Sequence, residues 1–385
     1  MSSALQAAFW TACALLAWTQ GGYALCIALI DRALPSRHRE EPPGLTAAAE
    51  LPSVSLIVAA HDEQSVIAAK VANALALDYP RELLQLLVAC DGCTDATAER
   101  ARSAGADVVL ELGRGGKILA QDAAVARAAG EVVAFSDANA LWEPDALRQL
   151  VAPFADPRVG YVCGRVRFAA EGDGATNQEG AYWSYETSLR ERESRLCSVT
   201  AGNGAIYATR RESYIVVDPV MGHDLSFPFN MVKRGWRAVE APAARASEKM
   251  VPTVEGEWRR KRRMMSHTWP IVLRGGMLSP RGYPPGYALM ILSHRLLRYL
   301  TPFLHLIALA ANVALVASGA GVVYVVTLAL QCALLLAAAL ARTLPAPPLL
   351  IARYYVLTVA SPAAGMWDWL RHGTAAHWQA AEGTR

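Results

Sequence analysis

The chain has 385 residues, of which 53% are hydrophobic and only 18% charged, well below the roughly 25% of an average soluble domain. The formal net charge is +3, from 37 basic and 34 acidic side chains, so bulk charge calls for no nucleic acid or other polyanion as partner. This composition excludes a disordered chain, a small disulfide scaffold and an ordinary soluble protein. The apolar excess is local: residues 4–30 and 299–341 contain no Asp, Glu, Lys or Arg. A bilayer crossing needs about 20 apolar residues, so the first stretch can span once and the second twice.

Residues 1–34 are expected to be a retained transmembrane helix. They lack the basic start of a signal peptide and their apolar run is too long for one. Arg32, Arg37, His38 and Arg39 follow, which places this end in the cytoplasm by the positive-inside rule. A linker over 35–52 leads into alternating strands and helices. Strands are expected at Val54–Ala60, Leu84–Cys90, Asp107–Leu112 and Glu131–Ser136. Helices are expected over Glu63–Leu77, from a Thr94 N-cap to Ser103, over Lys117–Ala129, and from Pro144 onward. Such alternation predicts an α/β fold with a mainly parallel sheet, whose ligands bind at the carboxyl ends of the strands. Asp91 and Asp137 both stand at such ends.

Further on, strands are expected at Val159–Phe168, before Arg210 and at Arg237–Ala241. Helices are expected over Asn177–Ser194, after Gly222-His223-Asp224, and over Glu255–Leu273. Residues 53–275 thus form one domain. The region 276–301 includes Tyr287–Leu300, where His294, Arg295 and Arg298 interrupt helical apolar spacing as in a helix lying at a membrane interface. Residues 302–370 are expected to hold a hairpin, Pro302–Ser318 and Gly321–Leu340, and a third crossing over 349–367. Residues 371–385 are a tail. Cys90 and Cys93 have redox spacing, but the strand reading favours plain reduced thiols. A paired-cysteine zinc site would need a second ligand pair at suitable spacing, and none is present.

Asp137-Ala138-Asn139 offers two side-chain oxygens on one turn, the kind of donor set that hard cations take when they bridge to a phosphate. Asp91, on the neighbouring strand, can hold the polar part of the same ligand. Lys117, after Gly115-Gly116, adds a positive charge at the start of the next helix. Together these residues suggest a nucleoside diphosphate site with Mg²⁺ or Mn²⁺.

In order along the chain, these pieces resemble the membrane-integrated branch of the inverting glycosyltransferases of family 2, relatives of poly-N-acetylglucosamine, cellulose and hyaluronan synthases. The resemblance covers residues 52–300. His61-Asp62-Glu63 resembles the Asn-Glu-Glu turn after the first strand, beside the base. Asp91-Gly92-Cys93-Thr94-Asp95 resembles Asp-Gly-Ser-x-Asp, whose first Asp contacts the nucleoside. Gly116-Lys117 matches a Gly-Lys pair, and Asp137-Ala138-Asn139 matches the Asp-x-Asp metal motif with Asn last. His223-Asp224 matches the acidic pair that supplies the general base, with His223 in place of an acid. The resemblance implies a GT-A, Rossmann-like nucleotide-sugar-binding domain in the cytoplasm, flanked by transmembrane and interface helices in the inner (plasma) membrane.

It also implies site roles. Asp224 would be the catalytic base. Ala60, His61, Glu63, Asp91, Lys117, Asp137, Asn203, Arg260 and Arg263 would bind the nucleotide-sugar, a UDP-sugar by expectation. Asp137 and Asn139 would meet the metal, and Arg260 with Arg263 would clamp the diphosphate. Processive relatives carry Gln-x-x-Arg-Trp, whereas Met264 follows Arg263 here. Expected partners are therefore a nucleotide-sugar donor, membrane lipid, and a lipid or lipid-linked acceptor ahead of a polysaccharide one. The competing reading is a non-catalytic relative that serves a polysaccharide export system, favoured by Asn139 and His223. Neither composition nor motif fixes an oligomeric state.

Overall fold

The computed structural model describes residues 2–33, 51–169, 176–249, 254–344 and 346–376. Residues 34–50, nearly all of the expected linker, and 377–385 of the expected tail lie outside the described residues. The chain opens with helices α1 (Ser2–Ala17) and α2 (Tyr23–Ala33), joined by a π-helical turn. Next come β1 (Val54–Ala60), α3 (Ile67–Leu75), β2 (Leu84–Asp91), α4 (Thr97–Ser103), β3 (Val108–Leu112), α5 (Lys117–Val125) and β4 (Val132–Asp137). They are followed by β5 (Leu141–Trp142), α6 (Ala146–Val151), β6 (Val159–Ala169), α7 (Thr176–Leu196), β7 (Ile206–Arg210), α8 (His223–Lys233) and β8 (Arg237–Lys249). The last helices are α9 (Val254–Leu273), α10 (Pro285–Met290), α11 (Leu297–Tyr299), α12 (Thr301–Ala317), α13 (Val322–Leu340) and α14 (Pro347–His372).

The chain divides into two compact units. One holds residues 31–252 and 270–288; the other holds 1–30, 253–269 and 289–373. The first unit is built on an eight-stranded sheet in the order β3-β2-β1-β4-β7-β6-β8-β5. The first four strands in that order are mutually parallel, as the βα alternation predicted. Beyond β4 the sheet is mixed, since β7 runs antiparallel to both β4 and β6.

Successive strand residues face opposite sides. Leu56 and Val58 join the α3 residues Ile67 and Val71 in one core. Ile57 joins Ala120 and Ala124 of α5 and Phe227 of α8 in the other. Beneath α7, Arg165 bridges Glu191 (2.7 Å) and the buried Glu240 (3.1 Å), and Arg195 reaches Asp31 (2.7 Å) and Glu191 (2.6 Å).

Several expected boundaries move. Helix α4 starts at Thr97, and Asp95, not Thr94, accepts the Thr97 N–H (3.0 Å). Thr94 instead gives its N–H to Asp62 (2.7 Å), a long-range bond that local capping rules cannot foresee. Strand β8 runs on to Lys249, because β6 and β5 pair with its second half.

In the other unit, Phe9 and Ala12 of α1 pack with Ala308, Ala311 and Leu315 of α12 and with Tyr324 of α13. The Asn312 amide meets Thr327 (3.0 Å) and Gln331 (3.1 Å), and His305 meets Tyr355 (2.9 Å). The polar groups of these apolar helices thus satisfy one another. By length and composition, three helices among the described residues can cross a membrane: residues 3–33, α13 and α14. Helix α12 passes only together with the segment Pro285–Tyr299, from which it bends by 62°. Within that segment a π-helical turn over Ile291–Leu296 buries His294 and Arg295.

Replacing Arg165 by Met should remove the closest cation from the buried Glu240 carboxylate. The expected cost is about 2–4 kcal/mol, read as a lower thermal midpoint of the purified protein.

Candidate active site

Strand register brings the chemistry to one edge. Ala60 pairs with Cys90, Asp91 with Leu112, Ala59 with Asp137, and Ser136 with Ile206. The segments after β1, β2, β3 and β4 therefore share an edge. Because β7 is antiparallel to β4, the segment before β7 reaches that edge too, carrying Gly202-Asn203-Gly204.

Asp91 is buried, and its carboxylate accepts the N–H groups of Gly115 (2.6 Å) and Gly116 (2.9 Å) and Nη1 of Arg114 (3.0 Å). It therefore holds the 113–116 loop in place. Gly92 is obligatory beside it, with φ +60° and no room for a Cβ against the Arg114 backbone. The loop delivers Lys117 to the start of α5, where its amine bonds the Asp137 carboxylate and reaches the Gly204 carbonyl (3.4 Å). Burial alone would lower the Lys117 amine. Asp137 beside it, with Asp224 and Glu248 adding to the field, holds it above its ordinary value instead.

Asp224 stands in the first turn of α8. Its carbonyl accepts the Gly202 N–H (2.6 Å). A side-chain carbon on Gly204 would lie 3.7 Å from Lys117 Nζ and 3.9 Å from Asp224 Cβ. Asp137, Lys117, Gly204 and Asp224 thus form one cluster. Gly202 packs so closely on the Tyr161 hydroxyl that a Cβ would stand 1.8 Å from it. Asn203 Oδ1 accepts the Ala205 N–H (3.1 Å) and tightens the same turn.

His223 points away from this chemistry. Its imidazole is buried, bonded to the Tyr207 hydroxyl (2.7 Å) and stacked on Phe227 (3.9 Å between centroids). Burial, and to a lesser degree the charge of Lys117, drives its pKa well down, so it is neutral.

Asn139 shares the turn of Asp137, which closes with the Ala140 N–H on the Asp137 carbonyl (3.2 Å). At the far end of the edge, His61 Nδ1 donates to the Asp91 carbonyl (2.7 Å), the buried Glu63 gives its N–H to Thr97 Oγ1 (2.8 Å), and the Ala60 carbonyl meets Cys93 Sγ (3.5 Å). Arg260 and Arg263 belong to the helical unit, where Glu257 binds the Arg260 guanidinium (2.6 and 2.8 Å).

Sequence reasoning missed three residues that build this edge: Arg114, Lys70 and Asn73. Lys70 is fully buried, donates to the Ala140 carbonyl (2.7 Å) and lies over the Trp142 ring (5.0 Å). Asn73 brackets the Trp142 backbone with two bonds (2.8 and 2.9 Å). From α3 the two hold the chain leaving Asp137-Ala138-Asn139. The available signal was a cation on the helical stripe of Ile67, Val71 and Ala74. Burial lowers the Lys70 amine to about 7, against the pull of Asp137 and Glu248. Between about pH 7 and 10.5 the unfolded chain binds the extra proton, so stability rises with pH, by up to about 1.4 kcal/mol per pH unit. Lys70→Met should flatten that slope in thermal unfolding measured across this range.

Comparisons with known proteins bear on the family and the fold. The family model described as "Glycosyltransferase like family 2" matches residues 52–266. A beta-monoglucosyldiacylglycerol synthase from Synechocystis sp. is 31% identical over 195 residues, 46% of this chain and 40% of that protein. The protein of the same name from Nostoc sp. is 33% identical over 137 residues, 34% of this chain and 28% of the relative. The match therefore spans less than half the length of these relatives. The mannosyltransferase PcManGT from Pyrobaculum calidifontis, solved in complex with GDP-Man and Mn²⁺, shares the fold with a TM-score of 0.71. It is 24% identical, and the match covers 95% of this chain and 99% of that one. With that family model matching residues 52–266, more than half of its length, the chain belongs to the glycosyltransferase-like family 2.

Proposed function

We propose that this protein is an inverting glycosyltransferase of the membrane, moving a sugar from a nucleotide-diphosphate-sugar, a UDP-sugar as the first choice, to a lipid or lipid-linked acceptor. The observation that carries this reading is the cluster in which Lys117 ties the Asp137 carboxylate to the Gly204 carbonyl, with Asp224 just across Gly204. One carboxylate is held against a cation at the strand ends, and a second stands free of that pair at the start of a helix. An inverting transfer uses two such groups for different tasks.

In this mechanism Asp224 accepts the proton of the acceptor hydroxyl as its oxygen attacks the anomeric carbon. The bond from that carbon to the diphosphate breaks in the same displacement. A base in such a position contributes about 10²–10⁴-fold. Asp137 and Asn139 offer oxygen donors from one turn, a set that fits Mg²⁺ or Mn²⁺, and such a cation would neutralise charge on the diphosphate. Lys117 adds fixed positive charge without needing to reorganise. His61, Glu63 and Asp91 line the nucleoside side.

The lipid acceptor is supported by the relatives' names and by the apolar helices, and the lack of a Trp after Arg263 weighs against processive synthesis. The catalytic unit then lies on the cytoplasmic face of the inner membrane. Against the non-catalytic alternative stands the gathering of Asp137, Lys117 and Asp224 in one cluster, while the His223 imidazole packs in the aromatic core.

The test is transfer of label from a panel of nucleotide-sugars by detergent-purified protein with Mg²⁺ or Mn²⁺ and a membrane lipid extract. Label is expected in the organic phase; label only in a high-mass aqueous product would overturn the lipid acceptor. Asp224→Asn should lower turnover at least about 10²-fold with nucleotide affinity kept, and unchanged turnover would remove Asp224 as the base. Asp137→Ala should abolish the metal dependence of nucleotide binding, measured by calorimetry. Equal dependence in both proteins would end that assignment.

A further inference from the structure

At the β1–β2 end of the edge, three side chains of different chemistry converge. One ring nitrogen of His61, a carboxylate oxygen of Asp62 and Sγ of Cys93 all lie within 4.8 Å of one another. His61 Nε2 is 3.6 Å from Asp62 Oδ2. We propose that His61, Asp62 and Cys93 form a Zn²⁺-binding site, and that Zn²⁺ bound there competes with the nucleotide. The second half of this proposal rests on the reading of the edge as the nucleotide pocket; the first does not.

The ligand types are right for zinc and wrong for the catalytic cation. Zn²⁺ takes sulfur, imidazole and carboxylate, often with three protein ligands and an open fourth position. Mg²⁺ and Mn²⁺ favour all-oxygen sets such as Asp137 and Asn139. Supporting bonds already orient His61 and Asp62. The Asp91 carbonyl takes the Nδ1 proton of His61, which leaves the Nε2 lone pair for a metal. Thr94 N–H and its hydroxyl hold the Asp62 carboxylate (2.7 and 3.3 Å). Asp62 sits at φ +51°, a conformation uncommon outside glycine, which turns its side chain to this place.

Ligands on one tetrahedral zinc stand about 3.5 Å apart, so closure asks for movements of about 1 Å. On binding, the Cys93 S–H bond breaks, the S–Zn bond forms, and the proton leaves to solvent. Thiolate and carboxylate together cancel the double charge of the ion. Drawing His61 and Cys93 together narrows the gap between the ends of β1 and β2, where the nucleoside is expected. Linear spacing hides this site: positions 61, 62 and 93 meet only because Ala60 lies beside Cys90 in the parallel pair.

The experiment uses the full chain in detergent, stripped of metal, with Co²⁺ as the probe. One equivalent should give a near-ultraviolet thiolate-to-cobalt band that Zn²⁺ abolishes by displacement and that Cys93→Ser lacks. No band, or a band that survives Cys93→Ser in a folded protein, would overturn the site. With Mg²⁺ held in excess, one equivalent of Zn²⁺ should weaken binding of a nucleoside diphosphate at least tenfold in the native protein and leave Cys93→Ser unaffected. A cobalt band with unchanged nucleotide affinity would overturn the competition alone. If no nucleoside diphosphate binds with or without zinc, the proposed function fails, and with it the competition, while the cobalt spectrum still decides the metal site.

Discussion

The half-buried contact between Lys117 and Asp137 is the interaction on which the rest of the site depends. With about a fifth of each side chain exposed, the two charges stabilise each other, and removing Asp137 takes from Lys117 a directly bonded carboxylate. The pair also decides geometry. It fixes the start of α5 against the end of β4, and the same amine reaches the Gly204 carbonyl, bringing in the turn that borders Asp224. The end of β4 and the 200–205 turn are therefore linked through one amine.

The mixed sheet is what allows this meeting. In an all-parallel sheet every strand delivers only its following segment to the carboxyl edge. Reversing β7 sends its preceding segment there instead, so residues far apart in the chain, Lys117 and Gly204, become neighbours. Gly202 can make the approach only because it lacks a side chain against Tyr161. The aromatic layer of Tyr161, Tyr207, His223 and Phe227 forms a rigid floor under Asp224.

Much of this was legible in the amino-acid order. The four parallel strands announce themselves by short apolar runs ended by polar residues, and Asp91, Lys117, Asp137 and Asp224 sit at positions where such runs end or helices begin. What stayed hidden depends on contacts across the sheet. Nothing local says that Asp91 spends its carboxylate on Gly115, Gly116 and Arg114, or that Thr94 serves Asp62 instead of a helix. Lys70 was passed over because a charged residue on an apolar stripe reads as an exception, although the buried carbonyl of Ala140 gives it a partner. The burial of His294 and Arg295 was hidden too, because a π-helical turn changes which residues share a helix face.

The helical unit is assembled from segments at opposite ends of the chain. Trp10 Nε1 meets the Tyr324 hydroxyl at 3.3 Å across 314 residues of sequence. At a synthesis rate of about 5–20 residues per second, α1 emerges roughly 15–60 s before the helix bearing Tyr324. During that interval the whole eight-stranded unit is made. The first helix must therefore persist without its final packing partners while the sheet unit folds. A ribosome paused after residue 288 would have released α1 while its partners on α12 and α13 were still unmade.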